Sequence, residues 1–226
     1  MPGPSWDGDD PTDLAKIGAS CASLVSDLAA AAPSRAVPSL SDAASWHRRI
    51  YDGCTVPAAA YLGHFRGDPS HPELVGYEVG VGPDMPDGLP EKVGVWSADV
   101  EAALGDFIAG VHAGFAVLDA ALPIGNHPRT VDELHEVVTL TAEVHGEWVR
   151  IHPFANGNGR TARVWAALVA LRYGLPVFVQ LKPRPGDVAY LRAAKASMGR
   201  PPGFTGDHDE AVAVFAHLLS LALLRR

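Results

Sequence analysis

The spacing of apolar residues along the chain predicts a mainly helical protein. Apolar positions recur every three to four residues in several stretches, a period typical of helices that pack through one face. One such stretch contains Ile17, Cys21 and Leu24 and stops at Pro33. The same pattern predicts further helices over residues 41–51, 98–122, 131–150, 160–173, 187–198 and 210–224.

Residues 55–94 break the helical pattern. Glycine and proline are dense there, and short β-prone pieces occur at residues 60–62 and 74–79. Such pieces, separated by turn-forming residues, are typical of a β-hairpin with a long, glycine-rich approach. The predicted fold is therefore an α-helical bundle with one small β-hairpin.

The beginning of the chain differs from the rest. Residues 1–11 are acidic and rich in proline and glycine, which predicts a disordered segment before the first helix. With 226 residues, the chain is long enough for one sizeable core. The expected organisation is an N-terminal segment over residues 1–40 and one helical domain over residues 41–226.

A short segment between two predicted helices contains the most informative chemistry. It reads His-Pro-Phe-Ala-Asn-Gly-Asn-Gly-Arg-Thr-Ala-Arg over residues 152–163. Its second half begins a helix, whose free N–H groups and dipole favour anions. Gly157 and Gly159 allow backbone N–H groups to approach a ligand closely. The alternative is a turn that only caps the helix, but such a turn needs no histidine and no paired arginines.

The polar side chains of this segment suit phosphate transfer. His152 is the candidate proton acceptor, because the ordinary pKa of histidine lies near neutral pH. Asn158 adds a side-chain amide to the anion pocket. Arg160 and Arg163 are three residues apart on one helix, so they are expected to grip the β- and γ-phosphates together.

The segment resembles the signature of the Fic family, His-Pro-Phe-x-Asp/Glu-Gly-Asn-Gly-Arg-x-x-Arg, at eight of its nine core positions. The resemblance implies a Fic-like helical bundle with a β-hairpin flap that holds the target. Residues Gly63, His64, Phe65 and Arg66 fit the Gly-x-aromatic-Arg segment of that flap. It also implies His152 as catalytic base and a nucleotide site formed by Asn156, Gly157, Asn158, Gly159, Arg160 and Arg163.

The implied reaction moves AMP, or another nucleoside monophosphate, from ATP or a related triphosphate to a hydroxyl of a target protein. Two alternatives remain open. The same fold is compatible with transfer of a phosphate-containing group to a small molecule or from another donor, or with nucleotide or partner binding without turnover. The family's inhibitory Ser/Thr-x-x-x-Glu-Gly/Asn pattern is not found. A separate antitoxin-like regulator is a further partner that the resemblance allows.

Asn156 departs from the family signature, where an acid is usual and holds Mg²⁺. The resemblance implies Mg²⁺ as a cofactor, with Asn156 as its candidate ligand. An amide oxygen, however, lacks the charge that this ion prefers. Either the metal binds more weakly, another residue supplies the carboxylate, or the chemistry differs.

Composition and cysteine usage narrow the possible binding partners, metal sites and cellular location of the protein. The net charge of −8 argues against broad affinity for nucleic acid or anionic membrane. Cys21 and Cys54 match no metal-ligand spacing, and no targeting or membrane-spanning segment is apparent. A cytoplasmic protein is expected. His145 and His152, seven residues apart, lack the carboxylate spacing of a zinc hydrolase.

Overall fold

The structure, a computed structural model, describes residues 2–6, 8–84 and 90–225. This part of the chain forms seven α-helices and one two-stranded antiparallel sheet. The elements are α1 (Leu14–Ala31), α2 (Leu40–Ile50), β1 (Val79–Asp84), β2 (Pro90–Val93), α3 (Val100–Ala121), α4 (Val131–Ile151), α5 (Asn158–Arg172), α6 (Val188–Met198) and α7 (Asp209–Leu223).

Helix α4 is the centre of the bundle. It packs most extensively against α5 and also contacts α3, α6 and α7, while α1 packs on α2 and α5. Phe107, Trp148 and Trp165 meet in the core, with ring centroids 5.1–5.7 Å apart. Burial of such large rings contributes most of the packing energy in a small bundle. The α4–α5 connection is therefore attached to the most extensively packed part of the molecule.

The predicted fold class, a mainly helical bundle with a small β-hairpin, is confirmed. Helix α4 starts at the capping box that the sequence predicts: the Glu133 N–H donates to Thr130 Oγ1 at 3.1 Å, and the Thr130 N–H donates to Glu133 Oε2 at 3.0 Å. Asp187 caps α6 by accepting from the Ala189 N–H at 2.8 Å. Local chemistry at these helix starts was strong enough to locate them from the sequence.

The hairpin lies later in the chain than the sequence predicted. Strands β1 and β2 pair Val79 with Val93, and the residues that join them, 85–89, lie outside the described part. The β-prone piece at residues 60–62 overlaps a 3₁₀ turn, Ala59–Tyr61, and residues 74–76 are in turns. Turn hydrogen bonds explain the error, because they satisfy backbone groups that a strand would pair: the Leu74 N–H donates to His71 and the Tyr77 N–H to Leu74.

In the structure, the described residues of the N-terminal segment pack on the domain, although their composition predicts disorder; the disorder expected over residues 1–11 stays a prediction. Trp6 is 6% exposed, and its ring lies 4.8 Å from Tyr51 and 6.1 Å from Tyr61 between centroids. The Gly3 N–H donates to the Glu73 carbonyl at 2.9 Å. One buried indole thus holds a segment whose composition otherwise favours disorder. Met1 and Asp7 lie outside the described residues, and the boundary at residue 40 remains a prediction.

Two helical stretches, Pro11–Ser34 and Ser97–Ala121, are long and apolar enough to cross a membrane by length and composition alone. A core helix passes the same test, and α3 places Leu104, Phe107 and Val111 in the core. The cytoplasmic location remains a prediction.

Trp6→Ala should destabilise the folded chain. Removing this buried ring leaves a cavity beside Tyr51 and Tyr61, so we expect the free energy of unfolding to fall by about 3 kcal/mol, measured by urea denaturation. Trp96→Ala is the matched control, because Trp96 is 42% exposed and its loss should cost less than about 1 kcal/mol. Equal stability of Trp6→Ala and the wild type would show that the N-terminal segment does not pack on the domain in solution.

Candidate functional site

The loop between α4 and α5 makes two left-handed turns. Helix α4 ends at Ile151, and His152 then has φ +54°. Gly157, with φ +79°, is the N-cap of α5. A Cβ atom at Gly157 would lie 2.6 Å from Tyr51 Cε2, so glycine is required there for space as well as for backbone conformation.

The side chain of Asn158 closes this loop. Its Oδ1 accepts from the Phe154 N–H and its Nδ2 donates to the Phe154 carbonyl, each at 2.8 Å. Phe154 is fully buried, with its ring centroid 3.9 Å from that of His47 and 5.9 Å from that of Trp148. Both ends of the Asn158 amide are therefore engaged. In the structure this side chain shapes the loop, and its predicted contact with a nucleotide remains a prediction.

His152 is oriented as a proton acceptor. Its Nδ1 lies 3.1 Å from the Val149 carbonyl, which can only accept, so the proton of the neutral ring resides on Nδ1 and Nε2 keeps its lone pair. Burial, together with the cations Arg66 and Lys92, lowers the pKa of His152 to about 3. The ring is therefore neutral at pH 7, which is the form that a general base requires.

Arg66 fixes the backbone that carries His152. Its guanidinium donates to the carbonyls of His152 at 2.8 Å, Ile151 at 3.2 Å and Val95 at 2.9 Å. The backbone N–H of Arg66 donates to the Pro153 carbonyl at 2.7 Å. The side chain is 1% exposed, so its contacts are internal. Arg66 thus supports the loop through its backbone carbonyls and, being buried, is not available to contact a target.

The other residues predicted for the flap also lie on this supporting segment and not on the hairpin. The Gly63 N–H donates to His47 Nδ1 at 3.1 Å, and the Phe65 ring lies 5.0 Å from the Phe154 ring. His64 packs beside His71. A target-binding role for Gly63, His64 and Phe65 remains a prediction.

A cleft of about 350 Å³ opens beside His152. Gly159 and Arg163 of α5 line it, as do β2 and α6. Its charged lining is predominantly basic: Lys92, Arg163, Arg184, Lys195 and Arg200 face one acid, Glu91. Such a surface attracts a polyanion, although the whole chain is acidic.

Arg163 contributes a positive charge to this cleft without an acidic partner among the described residues. Its Nε and one terminal nitrogen donate to the Leu181 carbonyl at 3.1 and 3.0 Å, and the other terminal nitrogen lies 3.3 Å from the Tyr190 hydroxyl. The residue is 6% exposed. A buried guanidinium held only by neutral oxygens favours an incoming anion, because charge pairing there would offset the cost of desolvation.

Arg160 does not join Arg163 at the cleft. It forms an ion pair with Asp9 and a hydrogen bond with the Tyr51 hydroxyl. The expectation that both arginines grip one phosphate tail is therefore not met in this structure. The i, i+3 spacing predicted that both side chains lie on one face of α5. Asp9 of the packed N-terminal segment instead pairs with Arg160 and holds its side chain away from the cleft.

Asn156 is turned towards its own backbone. Its Oδ1 accepts from the Gly157 N–H at 2.6 Å, and its carbonyl accepts from His47 Nε2 at 3.0 Å. The Gly157 N–H is thus already paired, contrary to its predicted part in the anion pocket. Among the described residues, the backbone N–H groups of Asn158 and Gly159, the first two residues of α5, donate to no protein acceptor. These two groups are the anion donors that the loop offers.

The side chains of Asn156 and Glu91 are not free to bind a magnesium ion in this structure. The Asn156 side-chain oxygen is taken by Gly157, and its Nδ2 is buried without a partner among the described residues. Mg²⁺ prefers charged oxygen ligands, and the acid lining the cleft, Glu91, is paired with Lys195 at 3.1 Å. The predicted role of Asn156 as a metal ligand therefore finds no support in its contacts.

His47 and Tyr190 are site residues that the sequence reasoning missed. His47 accepts from Gly63 and donates to Asn156, which connects the supporting segment to the loop. The Tyr190 hydroxyl contacts both Arg163 and, at 3.0 Å, His145 Nε2. The one available signal was the position of His47 on the apolar face of α2.

Comparison with known proteins agrees with the sequence motif. The model of the Fic/DOC family matches residues 38–170, which confirms the resemblance to that family. Protein adenylyltransferase fic-1 of Caenorhabditis elegans is 36% identical over 90 residues, covering 36% of this chain and 18% of that protein. Protein adenylyltransferase Fic of Aedes aegypti is 38% identical over 69 residues, covering 30% and 14%. The matched region thus spans less than a fifth of the length of each of these relatives.

Two solved structures share the fold. A Fic domain containing signaling protein from Bacteroides thetaiotaomicron superposes with a TM-score of 0.58 at 19% identity, over 90% of this chain and 66% of that one. The BepC protein of Bartonella tribocorum, solved with bound AMPPNP, gives 0.54 at 15% identity, over 92% and 87%. At these identities the likeness shows the fold alone.

The buried histidines should make the stability depend on pH. Burial lowers the pKa of both His47 and His145 to about 3, so below pH 6.5 the unfolded chain binds protons that the folded chain does not. We expect the free energy of unfolding to fall with decreasing pH, by about 1.4 kcal/mol per pH unit for each histidine. Urea denaturation between pH 6.5 and 5 measures this slope. His145→Gln should reduce the slope, whereas the exposed control His217→Gln should not; a flat profile would contradict the assignment.

Proposed function

The chain belongs to the Fic/DOC family, and on this premise we propose that it transfers AMP, or another nucleoside monophosphate, from a nucleoside triphosphate to a hydroxyl of a target protein. The observation that carries the proposal is one cleft that brings together His152, Gly159 and Arg163. It contains a neutral base, a helix N-terminus and a buried cation. The names of the curated relatives, protein adenylyltransferases, support AMP transfer as the general reaction.

The residues of the cleft have separate tasks in this reaction. His152 Nε2 removes the proton of the acceptor hydroxyl, whose oxygen then attacks the α-phosphorus. The bond from that phosphorus to the bridging oxygen breaks, and diphosphate leaves. The N–H groups of Asn158 and Gly159 stabilise charge on the α-phosphate oxygens. Arg163 pairs with the departing diphosphate, and its fixed position avoids reorganisation during the step.

The acceptor and the donor belong to the proposal. A protein hydroxyl and ATP are the substrates that the adenylyltransferase names of the relatives favour. Asn156 favours a second candidate, in which the same cleft uses a different phosphate-containing donor, because this residue departs from the acid usual in the signature and its oxygen is already paired. Mg²⁺ in the reaction and a separate antitoxin-like regulator also remain proposals.

Arg163→Ala should weaken nucleotide binding. The substitution removes a charge-assisted contact to the triphosphate, so we expect a loss of about 1.5–3 kcal/mol in calorimetry with a non-hydrolysable ATP analogue. Arg160→Ala is the matched variant and should lose less, because Asp9 already holds that guanidinium. Unchanged affinity in Arg163→Ala would remove this residue from the nucleotide site. Equal losses in both variants would show that Arg160 leaves Asp9 when nucleotide binds.

His152→Ala should abolish transfer while nucleotide affinity stays the same. Without the imidazole, no base accepts the hydroxyl proton. Intact-mass spectrometry after incubation with each triphosphate and candidate acceptor detects the added nucleotide. His217→Ala, an exposed histidine on α7, should retain the wild-type rate. Because the pKa of His152 is about 3, its protonation should not slow the wild-type reaction between pH 7 and 5.5. If His152→Ala transferred the nucleotide at the wild-type rate, His152 would not be the base and the mechanism would be wrong.

Asn156→Asp separates the two candidate donors. In this variant one carboxylate oxygen still accepts from Gly157, while the other replaces the unpartnered Nδ2 and offers charge to a cation on the phosphates. For a nucleotidyl transferase that lacks a metal ligand, we expect equal or higher activity and a steeper dependence on Mg²⁺ concentration. If the native reaction disappears while folding and ATP binding persist, the chain has adapted to a donor that the added charge repels.

A further inference from the structure

Three side chains outside the cleft converge on one point of the segment that supports the loop. His64, Asp68 and His71 each present a ligand atom, and these atoms all lie within 4.8 Å of one another. The two imidazole rings are 3.8 Å apart between centroids, and His71 Nε2 lies 3.9 Å from Asp68 Oδ2. All three residues are partly buried. In the described part of the chain, this is the one group of three histidine, cysteine or acidic residues with such geometry.

The backbone around these side chains is fixed by its own hydrogen bonds. Asp68 Oδ1 accepts from the Ser70 N–H at 2.8 Å, and the Asp68 carbonyl accepts from the His71 N–H at 3.1 Å. The Gly67 N–H donates to the Leu74 carbonyl at 2.8 Å, at a position where a Cβ would lie 2.0 Å from the Ser97 carbonyl oxygen. The segment thus holds Asp68 and His71 in place before any ligand binds, which lowers the entropy cost of binding.

The ring nitrogens of the two histidines are available to a ligand in the described part of the chain. Among the described residues, the ring nitrogens of His64 and His71 form no hydrogen bond, while Asp68 Oδ2 lies 3.9 Å from His71 Nε2. Two half-buried imidazoles at this distance repel each other if both are protonated. A divalent cation removes this repulsion, because it binds both rings in their neutral form together with the carboxylate.

We propose that His64, Asp68 and His71 bind Zn²⁺, with water completing the coordination. Two imidazoles and one carboxylate suit zinc and neighbouring transition metals, whereas Mg²⁺ and Ca²⁺ prefer oxygen ligands. Ligand atoms of a tetrahedral zinc site lie about 3.3 Å apart, given bonds of about 2.0–2.1 Å. The 3.9 Å separation of His71 and Asp68 therefore needs to close by roughly half an ångström, which side-chain rotation supplies.

The metal would stabilise the segment that positions the base. Phe65 and Arg66 lie between two of the ligands in sequence and contact Phe154 and the backbone of His152. Zinc at His64 and His71 bridges both sides of this contact. The site is separate from the cleft and does not depend on the proposed transfer reaction.

The test uses the untagged full chain, stripped of metal with a chelator. Titration of Zn²⁺ by calorimetry should give one site per chain, and thermal unfolding should shift to higher temperature in its presence. Asp68→Asn retains the hydrogen bond to Ser70 and removes only the charge, so its affinity should fall at least tenfold. The Zn²⁺ affinity of His71→Gln should fall by at least the same factor, and the control His217→Gln should bind Zn²⁺ as tightly as the wild type.

Spectroscopy keeps the proposal falsifiable if the variants fold poorly. Co²⁺ added to the wild-type chain should produce a visible absorption band at one equivalent, and it should broaden the imidazole resonances of two histidines that lie close together. Equal Zn²⁺ affinity in wild type, Asp68→Asn and His71→Gln would overturn the proposal. So would the absence of a Co²⁺ band in the wild-type chain.

Discussion

The two hydrogen bonds between the Asn158 amide and the Phe154 backbone determine the shape of the site. They satisfy a buried N–H and a buried carbonyl that would otherwise each cost about 1–3 kcal/mol. They also offset the left-handed backbone at His152, a conformation that costs a non-glycine residue about 1–2 kcal/mol. With the loop closed in this way, the N–H of Gly159 and the ring of His152 reach the same cleft.

Structural and chemical tasks fall to different side chains around this loop. Arg66, His47 and Asn158 are buried, and their polar atoms pair with backbone groups. His152 Nε2 and the positive charge of Arg163, which pairs only with neutral oxygens among the described residues, remain for a ligand. Because the supporting groups are already satisfied, the site has little to reorganise when a polyanion enters, and such preorganisation is what electrostatic catalysis needs.

Much of this arrangement could be predicted from the sequence, for identifiable reasons. Helix positions followed from apolar periodicity, and the Thr130 and Asp187 caps act within three residues, so local sequence determined them. The position of His152 at the entrance of a helix N-terminus also followed from local order. The hairpin was misplaced because turn bonds around Leu74 compete with strand pairing, which depends on partners far along the chain. Trp6 was missed because its burial depends on rings at positions 51 and 61.

The two arginines show where local inference ends. Arg160 and Arg163 have the same side chain and neighbouring positions on α5, yet their surroundings separate them. Asp9, 151 residues away, neutralises Arg160, while Arg163 is held by the neutral oxygens of Leu181 and Tyr190. A surface with net charge −8 repels a triphosphate only weakly beyond about 8–10 Å at physiological salt. Under the proposed function, triphosphate binding depends on a nearby cation and the N–H groups of α5; the tertiary contacts favour Arg163, which has no acidic partner among the described residues, as that cation.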